Sequence, residues 1–336
     1  MDLIGDVEGI EPPPRLGLEL LEDDHAPILA QSACIGFGRA FGTAEHAFKL
    51  DACATHGLRV VEARMASTTP QSPPSFLDGD GFRILCEIEP PRRPDIDDVR
   101  QQIRVLKPVT DAFLIPDNHL GRATVSSVAV AHEVSSLGGR SIACLNARDR
   151  NLLGFRRDLL TAAAYGVDHF LFVYGDPPHE GRRAEDLTVR GMINEVRSYG
   201  TGPLFVGYPD FKIGTTARVG RPLTWRARAD FLFVQITYSL TRLLEWRDRI
   251  DFPGRVYAGV LVLASTRMAH RINATIPDIR IPPHIVDKLD DDPMVGLDVA
   301  CEQIGAIRSS GAFDGIHLVP VTRYREMAKR LAEMGA

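Results

Sequence analysis

The chain has 336 residues, 44% of them hydrophobic and 25% charged, with a formal net charge of -5. This is an ordinary globular composition that can bury a substantial core. With no long run of lysine or arginine, the balance gives no basic footprint for nucleic acid or a membrane surface, and points to small-molecule partners.

The N-terminus, "MDLIGDVEGIEPPPR", carries acids and prolines where a signal peptide needs a basic start and an apolar core. No window approaches the roughly 18 uninterrupted apolar residues of a membrane span, so a cytoplasmic protein is expected. Residues 1–80 are expected to form an N-terminal extension, Pro-rich at both ends ("EPPPR" and "STTPQSPPSFLDGDG"), with no functional assignment. Cys34, Cys53, Cys86, Cys144 and Cys301 contain no CxxC pair, so neither a disulfide framework nor a zinc site is encoded.

Over residues 81–336, short β-branched or aromatic runs alternate with helical patterns, as in a parallel sheet of βα units. The predicted strands are "FRILCEI", "DAFLIP", "RSIACLN", "HFLFVYG", "PLFVGYP", "FLFVQIT", "RVYAGVLVL" and "GIHLVPV". Helical spacing marks "DIDDVRQQIRVL", "SSVAVAHEVSSLG", "LLGFRRDLLTAAAYGV", "TVRGMINEVRSYG", "SLTRLLEWRDRI", "MVGLDVACEQIGAIRSSG" and the closing "YREMAKRLAEMG". Eight strands with interleaved helices in roughly 250 residues predict an α/β fold of the (β/α)8 TIM-barrel type. The open doubly wound sheet is disfavoured because no GxGxxG follows the first strand.

A TIM barrel keeps its chemistry at the carboxyl ends of its strands. That rule selects Glu87 and Glu89, Asp117 and Asn118, Arg148 and Asp149, Asp176, Tyr208 and Asp210, Gln235, and Thr266 or Arg267. Glu87 and Glu89 share one face by the period of two. They are either solvated strand-end acids or general acids, since desolvation favours the neutral form of a carboxyl group.

In "LNARDRN" the polar residues suit a helix cap, and Arg148 or Arg150 could alternatively meet a phosphate or carboxylate. Gly175 and Asp176 in "VYGDPP" fit a turn as well as a ligand contact. Gln235 is an amide in an otherwise apolar strand, able to offer donor and acceptor to a heterocycle or to neighbouring backbone. "KLDDDP" is better explained as a helix end than as a metal cluster. No HExxH, GxSxG or P-loop motif occurs.

Taken together, these strand ends resemble the methylenetetrahydrofolate reductase family over about residues 81–330. The resemblance rests on "EIEPP", "ARDRN", "GDPP", Tyr208–Pro209, Gln235 and "IRIP" (Ile279–Pro282), in that order. It implies that Glu87 protonates N10 of 5,10-methylenetetrahydrofolate, that Asp176 stabilises the resulting N5 iminium cation, and that Gln235 and Arg280 bind the pterin and the folate tail. It further implies FAD across Asn118, Gly175 and Tyr208, rereduced by NADH or NADPH.

The sequence departs from the family at Cys144, at Tyr174, at Asp210–Lys212 and in "RPLTWRARAD", all on the flavin side. Folate chemistry is therefore expected to be more secure than FAD binding, with direct hydride transfer from NAD(P)H as the other route. A methyltetrahydrofolate-binding methyltransferase and a non-enzymatic subunit are the alternatives. Homo-oligomerisation is allowed.

Overall fold

A computed structural model of the protein describes residue 75, residues 77–276 and residues 279–335. The N-terminal extension expected over residues 1–80 lies, but for its last few residues, outside the described residues, as do Cys34 and Cys53.

Eight parallel strands close into a barrel in the order β1 to β8. They are β1 (Arg83–Glu87), β2 (Ala112–Ile115), β3 (Ser141–Asn146), β4 (His169–Val173), β5 (Lys212–Ala217), β6 (Phe231–Val234), β7 (Arg255–Leu261) and β8 (Gly315–Val319). Around them run α1 (Asp97–Leu106), α2 (Ser127–Ser136), α3 (Leu152–Ala164), α4 (Val189–Ser198), α5 (Leu240–Arg249), α6 (Thr266–Thr275), α7 (Pro283–Asp291), α8 (Val295–Ser310) and α9 (Tyr324–Glu333). This is the predicted TIM barrel, with two extra helices, α6 and α7, between β7 and α8. No helix among the described residues is long and apolar enough to cross a membrane.

Alternation along each strand divides the core into two layers. Leu85, Leu114, Ile142, Cys144, Leu171, Phe231, Phe233 and Tyr257 fill the barrel interior. Ile84, Cys86, Phe113, Ile115, Phe170 and Phe172 face outward onto the helices. The interior is tight enough that β5 presents a glycine where β6 presents an aromatic ring, because a Cβ on Gly214 would collide with Phe231. Gly214→Ala is therefore expected to destabilise the barrel by about 2–3 kcal/mol through overpacking, measured as a lower denaturation midpoint; an unchanged midpoint would show that Phe231 can move aside.

The foot of the barrel is fastened by aspartates that immediately precede even-numbered strands. Asp111, Asp230 and Asp314 accept the peptide N–H groups of Ile84, Ile213 and Val256 at 2.7–2.8 Å. Each also pairs with an arginine, Arg83, Arg197 and Arg255 respectively, at 2.6–3.0 Å. Asp168, in the same place before β4, meets His169 Nδ1 at 2.6 Å, while Ser75 Oγ lies 2.6 Å from Nε2 of that ring.

The fifth strand corrects the sequence expectation. "PLFVGYP" opens with a short 3-10 helix over Pro203–Phe205, leaving Leu204 61% and Val206 78% exposed. Only Phe205 is buried, edge-on to Tyr199 and Phe211. The strand is instead "KIGTTA", in which Ile213 packs outward and Thr215 donates its hydroxyl to the Phe172 carbonyl at 3.1 Å. β-branched threonines suit a pleated surface although they are not apolar. Tyr208 and Asp210 consequently precede β5 and lie at its foot, the opposite end from the mouth.

Candidate active site

At the carboxyl ends of the strands a cavity of about 420 Å³ opens, lined among others by Glu87, Gly175, Asp176, Thr216, Gln235 and His317. Strands β1, β4, β5, β6 and β8 thus each send a residue of the inner face, or the one just beyond it, to a common space. Leu85 and Glu87 in β1, and Phe231, Phe233 and Gln235 in and beyond β6, place chemistry one step above the apolar fill.

Glu87 is partly withdrawn from solvent, its side chain 18% exposed, and its carboxyl Oε2 lies 3.3 Å from His317 Nε2. Glu89 is past the strand end, where alternation stops. It is 56% exposed and pairs with Arg92 at 3.7 Å. Of the two acids, Glu87 alone lines the cavity.

Gly175 turns the chain at φ 92°, a left-handed conformation in which a Cβ would come within 2.9 Å of Asn146. That turn presents Asp176 at the rim. Its Oδ2 accepts the peptide N–H of Leu120 at 3.0 Å, and His179 N–H donates to Gly121 O at 2.9 Å, so the loops after β2 and β4 are fastened together. Asp176 therefore makes a loop contact and keeps its other carboxylate oxygen available for a ligand.

Beside the cavity, the "LNARDRN" segment ties the end of β3 to Asp117 after β2. Asn146, 1% exposed, donates to Asp117 and Asp149 at 2.8 Å. Arg150 bridges Asp117 at 2.7 Å and Asp158 at 3.1 Å. Asn151 caps α3 through Gly154 N–H at 2.8 Å. Capping and internal pairing thus account for Asp149, Arg150 and Asn151. Burial pushes the Asp117 carboxyl up against the opposing pull of Arg150, and burial, then the carboxylates of Glu87 and Asp117, pushes the Cys144 thiol up so that it remains neutral.

Gln235 borders both the main cavity and an adjoining pocket of about 100 Å³ that also contains Arg218, Arg242 and Arg280. Arg280 is the exposed member of "IRIP", between buried Ile279 and Ile281. Three arginines and an amide line this recess, a composition suited to carboxylates, with Arg280 Nη1 also donating to the Asn273 and Ile279 carbonyls at 3.3 Å. Just behind it, burial and then the charge of Arg218 pull Arg226 down.

The residues named for a flavin are not gathered in the same way. Asn118, at φ 48°, donates to Asp149 at 3.0 Å and accepts from Thr124 N–H at 3.2 Å. Gly175 lines the cavity, but Tyr208 is at the foot of β5 and does not reach it. Where the resemblance implies a tyrosine at the strand end, β5 closes with Thr216 and Ala217, and Arg218 follows it. Tyr174 sits over the Arg148 guanidinium at 4.7 Å and takes a hydrogen bond from Arg183 at 3.2 Å. Thr266 and Arg267 open α6, whose cap is Ser265.

Sequence reasoning missed Thr216 and Arg218 because it misplaced β5, and passed over His317. The signal for His317 was available, since "GIHLV" puts a histidine at an inward position of an apolar strand. Among the described residues no group of three or more His, Cys, Asp or Glu is arranged to hold a metal ion.

A family model described as methylenetetrahydrofolate reductase matches residues 80–335. Among solved structures, a Clostridium thermocellum protein that binds two copies of 5-methyl-5,6,7,8-tetrahydrofolic acid is 14% identical, with a TM-score of 0.55 over 77% of this chain and 98% of its own. At that identity the likeness bears on the fold. A tryptophan synthase α-subunit from Pyrococcus furiosus gives 13% identity, 76% and 98% coverage and a TM-score of 0.43. No curated protein matches the chain at a significant level.

Proposed function

The chain belongs to the methylenetetrahydrofolate reductase family, and on that premise we propose that it interconverts 5,10-methylenetetrahydrofolate and 5-methyltetrahydrofolate by hydride transfer, with NAD(P)H as electron donor. The observation that carries this reading is the convergence of Glu87, Asp176 and Gln235 on one cavity from the ends of β1, β4 and β6. The Clostridium thermocellum barrel, which binds a folate, supports a ligand of that class.

In the reducing direction the bond between the bridging methylene and N10 breaks, and its electron pair remains on N10. Glu87 delivers the proton that N10 takes up. The N5 iminium left behind is a cation, and the Asp176 carboxylate at the rim supplies the opposite charge. Hydride added to the iminium carbon completes the methyl group and leaves NAD(P)+. Gln235 pairs with the pterin edge, while Arg280, with Arg218 and Arg242, receives the carboxylates of the folate tail.

The residues present do not fit the flavin contacts that the family resemblance implied. Asn118 is engaged within the protein, Tyr208 precedes β5 at the end opposite the cavity, and the residue that follows β5 is Arg218. Hydride transfer directly from NAD(P)H is therefore the route these residues favour. Purified protein is expected to oxidise NAD(P)H in a manner dependent on methylenetetrahydrofolate and to show no visible flavin band. Stoichiometric flavin would sink direct transfer, and absence of folate-dependent oxidation would sink the reductase reading.

A further inference from the structure

We propose that His317 is a positioning residue for Glu87, holding the carboxyl group in the orientation from which it protonates N10. This rests on the role proposed above for Glu87 and assigns a function to the residue facing it across the closing seam of the barrel.

The seam joins β1 to β8 with Leu85 opposite His317. Glu87, two residues on and on the same inner face, leans back over the imidazole. Nε2 and Oε2 are 3.3 Å apart, with the two side chains 13% and 18% exposed. Glu87 makes no hydrogen bond or ion pair to any other described side chain. The His317 Nε2 atom is itself buried and lacks a well-aligned hydrogen bond. Catalytic hydrogen bonds are often long and poorly aligned before substrate binds, and tighten in the complex.

The imidazole packs face to face on an aromatic neighbour. It stacks on Phe233 with ring centroids 4.9 Å apart and planes 20° from parallel, and Phe233 in turn meets Tyr257 edge-on at 5.5 Å. Phe233 lies two residues before Gln235 on the inner face of the same chain segment. One segment thus locates both the amide proposed for the pterin and the ring that orients the acid.

With the Nε2–H tautomer, His317 donates to Oε2 and leaves Oε1 to carry the proton. After transfer to N10 the same N–H stabilises the carboxylate that remains. Without it, a glutamate with several rotatable bonds must be ordered by substrate alone.

His317→Phe keeps an aromatic ring against Phe233 and removes the N–H, whereas His317→Gln restores a donor on a different frame. The Phe variant is expected to lower kcat for methylenetetrahydrofolate reduction about 30-fold, less than the roughly 100-fold that 1 Å of misplacement of a reacting group can produce. KM and the Kd for 5-methyltetrahydrofolate, which has no bond to N10 to open, should stay within about 2-fold. The Gln variant should recover most of the loss, and in a Glu87→Gln background the Phe change should add nothing.

Wild-type kcat in His317→Phe, equal losses in the Phe and Gln variants, or an undiminished loss in the Glu87→Gln background would each overturn the proposal while leaving the reductase reading intact. A wild-type chain that does not turn over methylenetetrahydrofolate would instead overturn that reading, and the role of His317 with it.

Discussion

Glu87→Gln is expected to lower the turnover of methylenetetrahydrofolate by about 10³-fold, within the 10²–10⁴-fold range of a positioned general acid. The amide is nearly isosteric with the carboxyl group and can still meet His317, so the fold and the cavity should be retained. It has no acidic proton to give N10, and ring opening then depends on water. Binding of 5-methyltetrahydrofolate should change by less than about 3-fold, because that ligand has no N5–CH2–N10 bridge to open. A methyltransferase using 5-methyltetrahydrofolate needs no acid at N10, so methyl transfer from 5-methyltetrahydrofolate that persists undiminished in Glu87→Gln would favour that alternative chemistry over reduction.

Asp176→Asn is expected to reduce kcat by about 10²- to 10³-fold, the range measured when a preorganised electrostatic partner is removed. The side-chain carbonyl of asparagine can still accept the Leu120 N–H that Asp176 accepts at 3.0 Å, so the fastening between the loops after β2 and β4 survives. What is lost is the negative charge opposite the iminium. A thermal midpoint within a few degrees of wild type, together with the fall in kcat, would separate the charge from the turn. If kcat stays within about 3-fold of wild type, Asp176 serves only as the loop fastener that the hydrogen bond already makes it.

The two substitutions bear on different moments of one reaction. Glu87 acts while the bond to N10 breaks, and Asp176 while the cation exists. Their combined effect should therefore be smaller than the product of the separate ones if ring opening limits both.

Most of the barrel was legible because burial on both faces writes parallel strands as continuous apolar runs, as in "HFLFVYG" and "FLFVQIT". The fifth strand was not, because "KIGTTA" holds a single large aliphatic residue and takes its fit from Gly214 against Phe231. A more hydrophobic run nearby, "PLFVGYP", was preferred, although its proline-led turn leaves two of its aliphatic side chains in solvent. That one displacement carried Tyr208 to the wrong end of the barrel and hid Arg218.

Sequence by itself determined the order of βα units and the positions of Glu87, Asp176 and Gln235 just at or beyond three apolar runs, since strand period and strand ends are local properties. Only the tertiary structure decided which residues meet across the barrel. Closure of β8 against β1 brings His317 to Glu87, 230 residues away in the chain but 3.3 Å away in space. The pairing of β5 with β6 brings Gln235 beside Arg218, and the connection between α6 and α7 brings Arg280 to the same pocket. Such meetings follow from register and closure, which depend on all eight strands together and leave no mark in any one of them.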